Sequence, residues 1–224
     1  MVSDVDSILI EPEIKWVSRG AIKLLYALEY FNIDPSEKIV FDAGSSTGGF
    51  TQVLIRKNAK RVIAVDVGKN QLDASLRSHP KVDSFEKVNL KNITLEDRYK
   101  FLNSSEVFDL IVGDLSFISL TLIIPKLTDI LCTKGTELVL LVKPQFEVSH
   151  QVASKCKGVV KEKRYWIESL EKIYNSFVQN NTYVTGVVES PIKGGSGNRE
   201  FFMRAISGNL ESIGFEQIVS TLEL

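Results

Sequence analysis

Residues 39–50 read IVFDAGSSTGGF: a short apolar run, an aspartate, and then a stretch with three glycines, two serines and a threonine. The apolar run has the length and composition of a buried strand, and the small residues after it let the backbone approach a ligand closely. A helical pattern over about 48–57 follows at once. Strand, glycine loop and helix in that order open the ligand crevice of a doubly wound sheet. The same alternation continues downstream. RVIAVDV (61–67) precedes a helical pattern near 70–77, FDLIVGD (108–114) precedes ISLTLIIPKLTDIL (118–131), and TELVLLVKP (136–144) follows. Strand runs this uniformly apolar suit a parallel sheet covered on both faces. A polar segment at 145–162 leads to a predicted helix at 163–180, then to strands near 182–189 and 199–206. The pattern predicts an α/β fold with a doubly wound, mostly parallel sheet and an antiparallel strand late in the chain.

Upstream, Ala21, Leu24, Leu25, Leu28 and Phe31 fall on one face of a helix over about 19–31, with Ser18 as its candidate cap. Residues 1–14 are acidic, contain Pro12 and show no period, so they read as a linker or tail ahead of one domain over 15–224. The 224 residues suffice for one substantial domain, and 44% hydrophobic with 25% charged residues is ordinary globular composition. No apolar run approaches the roughly 20 residues of a membrane span, and no secretory signal opens the chain, so the cytoplasm is the default compartment and no membrane partner is expected. Cys132 and Cys156, with His79 and His150, are too few for a disulfide framework or a metal site. The net charge of −1 leaves any nucleic-acid role to a local patch.

The glycine loop lacks the Lys-Ser/Thr pair of a phosphate-binding loop, since Phe50 follows Gly49. Counted from Gly44, Ser46 occupies the second glycine position of the dinucleotide fingerprint. A third ligand, S-adenosyl-L-methionine, has no phosphate and needs close backbone approach, which Gly44, Gly48 and Gly49 permit. It also needs a carboxylate for its ribose hydroxyls after the next strand, where Asp66 stands. An acidic residue there serves a nicotinamide dinucleotide equally well. A plainer alternative is a tight turn at Gly48-Gly49 with Asp66 as a helix cap.

Lys143, after LVLLV, is placed at the carboxyl end of a central strand, where open α/β sheets bind ligands, and Asp114 ends the neighbouring strand at the same edge. A structural Asp114–Lys143 salt bridge would account for both. Lys23 lies one turn after Arg19 on the polar face of the first helix, which alone reads as solvated. Glu200, in GGSGNREFF, alone reads as an ordinary strand-edge residue.

Together, WVSRGAIKL, FDAGSSTGGFTQVLI, VIAVDVGKNQL, GDLSFISL, LLVKPQFE and SPIKGGSGNREF, in order over about residues 15–207, resemble the TlyA family of FtsJ-type ribosomal RNA 2′-O-methyltransferases, also labelled hemolysins. The resemblance implies the Rossmann-like fold of S-adenosylmethionine-dependent methyltransferases and a Lys-Asp-Lys-Glu catalytic tetrad at Lys23, Asp114, Lys143 and Glu200. It implies cofactor contacts from Asp42, Gly44, Ser45, Ser46, Thr47, Gly48, Gly49 and Phe50, from Asp66 and Val67, and from Asn89 and Asp114. It also implies ribosomal RNA or ribosomal subunits as partner and a cytidine ribose as acceptor. The family usually begins with a small RNA-binding domain; this chain begins at the linker that follows it, as a truncated or shortened member would.

Neighbouring chemistries fit less well. The fourth strand ends in DLSF, without the prolines typical of base amine methylation, and neither cysteine is expected at a crevice-facing strand end, as carbon methylation of pyrimidines needs. A ribose hydroxyl requires a base and orientation. Lys143 as the neutral amine would take the proton, Asp114 would orient it, and Lys23 with Glu200 would position the nucleotide. Lys15, Arg19, Lys23, Arg199 and the run SKCKGVVKEKR offer cations for an RNA backbone. Two other functions compete: a membrane-lytic protein, as the hemolysin label suggests, and an RNA-binding ribosome assembly factor without turnover.

Overall fold

The unbroken apolar runs become the middle of a seven-stranded sheet. The computed structural model describes residues 15–208 and 211–222; the stretch 1–14, read above as a linker or tail, lies outside them. In chain order the elements are α1 (Gly20–Tyr30), β1 (Ile39–Ala43), α2 (Gly49–Arg56), β2 (Arg61–Val65), α3 (Ala74–Arg77), β3 (Val82–Phe85), α4 (Leu95–Phe101) and β4 (Leu110–Gly113). They continue with α5 (Ile124–Lys126), β5 (Glu137–Val142), α6 (Pro144–Glu147), α7 (His150–Lys155), α8 (Lys163–Gln179), β6 (Thr182–Glu189), β7 (Phe201–Ser207) and α9 (Phe215–Ser220).

The strand order is β3-β2-β1-β4-β5-β7-β6. Neighbours from β3 through β5 pair in parallel, and β7 runs against both β5 and β6. The chain leaves β1 toward β2 and β3, then returns to place β4 on the other side of β1. That reversal puts the crevice beyond the carboxyl ends of β1 and β4, where Asp42, Gly44 and Asp114 lie. Alternate strand residues feed the two faces. Val40, Val62, Leu110 and Leu141 pack with Leu24, Leu28, Val53 and Leu54 of α1 and α2. Phe41, Ile63, Ile111 and Leu140 pack with Leu127, Leu131, Ile173 and Phe177 on the other side. Both faces are covered, so the strands carry no polar alternation.

Three expectations change. Ser18 does not cap α1: Arg19 is the N-cap and makes no side-chain cap bond. The run 118–131 is not one helix. Pro125 enters a short α segment between a 3₁₀ turn (Leu120–Leu122) and a π turn (Leu127–Leu131), because proline cannot donate to the preceding turn. The segment 145–162 holds all but the first residue of α6, and α7. Among the described residues, no helix is long and apolar enough to cross a membrane.

Candidate active site

The glycine loop holds three residues at positive φ, Gly44, Ser46 (+47°) and Gly48, and its two glycines have different tasks. Gly44 (φ +81°) turns the chain at the end of β1, and a Cβ there would sit 2.8 Å from the Leu115 side chain. Gly48 (φ +98°) is the N-cap of α2, and a Cβ there would meet Leu76 at 2.4 Å and Leu72 at 2.7 Å. Gly48 therefore lets the loop seat on α3 and faces neither cleft described below. Asp42 does not face them either. It is fully buried beneath the loop, where Oδ2 accepts the Thr51 hydroxyl at 2.6 Å and Oδ1 has no hydrogen-bond partner. Burial pushes its carboxyl up to about 7, with the Thr51 bond opposing. Asp66, at the end of β2, accepts the Ser46 amide at 2.8 Å and the Gly68 amide at 2.7 Å. It thus holds the loop to the next strand while its carboxylate borders the opening.

Two clefts meet at Gly44, Ser46, Asp114 and Ser116. The larger, about 530 Å³, is lined by Asp66, Val67, Gln71, Val88, Asn89, Leu115, Phe117 and Ile118 among others. Its lining holds two carboxylates and no lysine or arginine. Such walls suit an uncharged nucleoside bearing a cationic sulfonium, and the loop beside them has neither the lysine nor the glycine spacing of the phosphate-binding patterns. Asn89 borders it while its Oδ1 caps the turn at Lys91. The smaller cleft, about 270 Å³, is lined by Ser18, Arg19, Lys23, Ser45, Thr47, Gly49, Phe50 and Lys143.

At their junction four side chains converge, one from α1 and one each from just beyond β4, just beyond β5 and just before β7. Lys23 Nζ lies 2.7 Å from Glu200 Oε2 and 3.9 Å from Asp114 Oδ2. Lys143 Nζ lies 2.6 Å from Asp114 Oδ1 and donates to Ser116 Oγ at 2.8 Å. The order in space is Glu200, Lys23, Asp114, Lys143, an alternation of charge that leaves each buried ion with an opposite neighbour. Lys23, Lys143 and Glu200 are all less than 10% exposed. The solvated reading of Lys23 fails because α1 packs its N-terminal end against α2 and aims residue 23 into the crevice. Glu200 is seated by Gly194, where a Cβ would fall 2.3 Å from its carboxylate oxygen.

Neighbouring side chains that no motif role marks in the sequence complete the junction. Gln145 Nε2 donates to Glu200 Oε1 at 3.3 Å. Phe117, 91% exposed and at φ +63°, packs its ring 5.1 Å from Phe146 beside Lys143. Glu147 ties the loops after β4 and β5 together: it accepts the Ser119 hydroxyl and the Leu120 amide, and Lys172 lies 3.7 Å away. Burial raises its pKa, opposed by those bonds. Cys132 ends the π turn, away from both clefts, with burial pushing its thiol up to about 12, so it is no nucleophile.

A doubly wound sheet with a close-backbone loop at the switch point and an acid-lined nucleoside cleft defines an S-adenosylmethionine-dependent methyltransferase. Residues 16–206 match the model of the FtsJ-like methyltransferases, and the chain belongs to that family. It is 40% identical over 205 residues to the 16S/23S rRNA (cytidine-2′-O)-methyltransferase TlyA of Mycobacterium tuberculosis, covering 90% of this chain and 73% of the relative. It is 37% identical over 206 residues to hemolysin A of Brachyspira hyodysenteriae, covering 92% and 82%. A structure from Lactococcus lactis solved under the name of a hemolysin superposes with a TM-score of 0.83 at 35% identity, covering 93% of this chain and 99% of that one.

Proposed function

We propose that this chain methylates the 2′-hydroxyl of a cytidine in ribosomal RNA, with Lys143 as the base. The observation that carries the reading is the tetrad: two lysines and two carboxylates, from four elements far apart in sequence, meeting where the two clefts join. S-adenosylmethionine, when bound, supplies a methyl on a positively charged sulfur, open to in-line displacement. Gly44, Ser46, Asp66, Val67 and Asn89 would hold its nucleoside end, and Ser45, Thr47 and Gly49 border the space for its amino-acid end.

The chain's own residues then have separable tasks. The tetrad pairs two lysines with two carboxylates, Lys143 beside Asp114 and Lys23 beside Glu200. Asp114 lines both clefts, so a cation entering the larger one competes with Lys143 for the same carboxylate. Neutral Nζ takes the hydroxyl proton as the new oxygen–carbon bond forms and the sulfur–carbon bond breaks. Ser116, which accepts from Nζ, fixes the amine's direction. Lys23, held by Glu200, faces the acceptor's ribose and phosphate. General base catalysis is worth about 10²–10⁴, and holding the reactants in line supplies more.

Methyl transfer from tritiated donor to separated ribosomal subunits, followed by alkaline hydrolysis, tests the acceptor. A 2′-O-methyl group blocks attack on the adjacent phosphate, so label should remain in an alkali-resistant dinucleotide that begins with cytidine. Label released as a methylated base mononucleotide contradicts the reading.

A further inference from the structure

The run 154–164 carries five lysines and arginines against a single glutamate in a chain whose net charge is −1. A run of this kind is ordinarily a solvated loop, and solvated loops do not spend buried hydrogen bonds on a fixed shape. This one does. Asn198 is 2% exposed, accepts the Val160 amide through Oδ1 at 2.8 Å and donates through Nδ2 to the Gly158 carbonyl at 2.9 Å. Trp166 Nε1 holds the Val160 carbonyl from the other side at 3.0 Å. The Asn198 carbonyl in turn accepts the Gly194 amide at 2.9 Å, closing the turn 194–197 that packs on Glu200. Arg19, which lines the tetrad cleft, reaches to 3.9 Å from the Cβ position of Gly195, so this turn lies against a wall residue of that cleft. The lysine loop and the seat of Glu200 are therefore one piece, pinned by one buried amide.

We propose that Lys155, Lys157 and Lys161, with Lys193 on the adjoining turn, form a clamp for the sugar-phosphate backbone of the acceptor RNA next to the nucleotide delivered to the tetrad, and that Asn198 fixes the clamp's position relative to Glu200. The inference rests on the acceptor being RNA. All four lysines are exposed, and they project from a surface whose shape is set before any ligand arrives. Ordering cost is then met in folding rather than in binding. Phosphate contacts of this kind give register and salt dependence without sequence preference.

The test is methyl transfer to ribosomal subunits by wild type and by a Lys155→Gln, Lys157→Gln, Lys161→Gln triple variant, at potassium chloride from about 50 to 200 mM. Each lost phosphate contact removes about 0.7–0.9 from the slope of log affinity against log salt, so the slope should fall by about 2–3. KM for the subunit should rise, while kcat at saturating subunit and donor affinity stay at wild-type values. Asn198→Ala keeps every charge but unpins the loop, and should raise KM with the salt slope retained. A triple variant with wild-type slope and KM overturns the clamp and leaves the transfer reaction standing. A wild type that transfers no methyl to either subunit overturns both.

Discussion

Two buried carboxylates, Asp42 and Glu200, sit on opposite sides of the crevice and are handled in opposite ways. Asp42, under the glycine loop, has one hydroxyl for a partner and an oxygen with none; burial pushes it up to about 7. Glu200, on the acceptor side, has a lysine at 2.7 Å and an amide at 3.3 Å. The donor side thus binds by backbone shape around an acid on its way to neutral, whereas the acceptor side is a network of compensated ions. Changes on the donor side should therefore appear in stability or donor affinity, and changes on the acceptor side in the rate of transfer.

The largest expected effect on stability is at Asp42. Its folded value, raised to about 7 against 3.8 in an open chain, means that the folded state holds the proton more tightly. The resulting stabilisation is complete below pH 3.8 and is lost as pH rises through 7. Asp42→Asn keeps the shape without the charge. The variant should match wild type near pH 4 and exceed it at pH 8, with a ceiling of about 4 kcal/mol. Urea unfolding of both proteins at the two pH values reads this. Equal slopes with pH would show that Asp42 is not held neutral. Donor affinity should change little, since Asp42 lines neither cleft.

Next comes Glu200→Gln, which keeps the contact with Lys23 but removes its charge. Lys23 would then share Asp114 with Lys143, and the rate at saturating substrates should fall by about 10² from displacement alone. Calorimetric donor affinity should be unchanged; a variant that binds donor weakly at full rate would invert the two sides. Smallest is Asp66→Ala, which removes a charged acceptor bordering the donor cleft and frees the Ser46 and Gly68 amides. Donor affinity should drop by one to two decades, on the basis of about 1.5–3 kcal/mol for bonds to a charged group. Unchanged affinity would leave Asp66 as a loop fastener alone.

How much of this was readable depended on range. Strands buried on both faces announce themselves, so β1, β2, β4 and β5 fall within the apolar runs, and α8 within a residue of its predicted span. β3 and α4 were missed for opposite reasons. VDSF is a four-residue edge strand with one buried side chain, too short for a period. LEDRYKF buries only Phe101, yet its capping box between Thr94 and Asp97 was a legible start signal. At the site, the loop's glycines were legible as a group but not their division of labour, because Gly48 is required by Leu72 and Leu76, which only the fold brings near. Lys23 and Glu200 stand 177 residues apart, and no local pattern links them. Family motifs pointed to that pair, and packing of α1 against α2 gives its physical basis.

The central claim is that Lys143 is a base rather than the cation of a structural pair with Asp114. Single-turnover methyl transfer to ribosomal subunits, with a melting curve for each protein, separates the two for wild type, Lys143→Ala and Lys143→Arg. If Lys143 is the base, Ala loses about 10²–10⁴ in rate with donor affinity retained. Arg should be no faster, even though its guanidinium restores the ion pair and the melting temperature, because it keeps its proton. An Arg variant that transfers methyl at near wild-type rate would contradict the assignment.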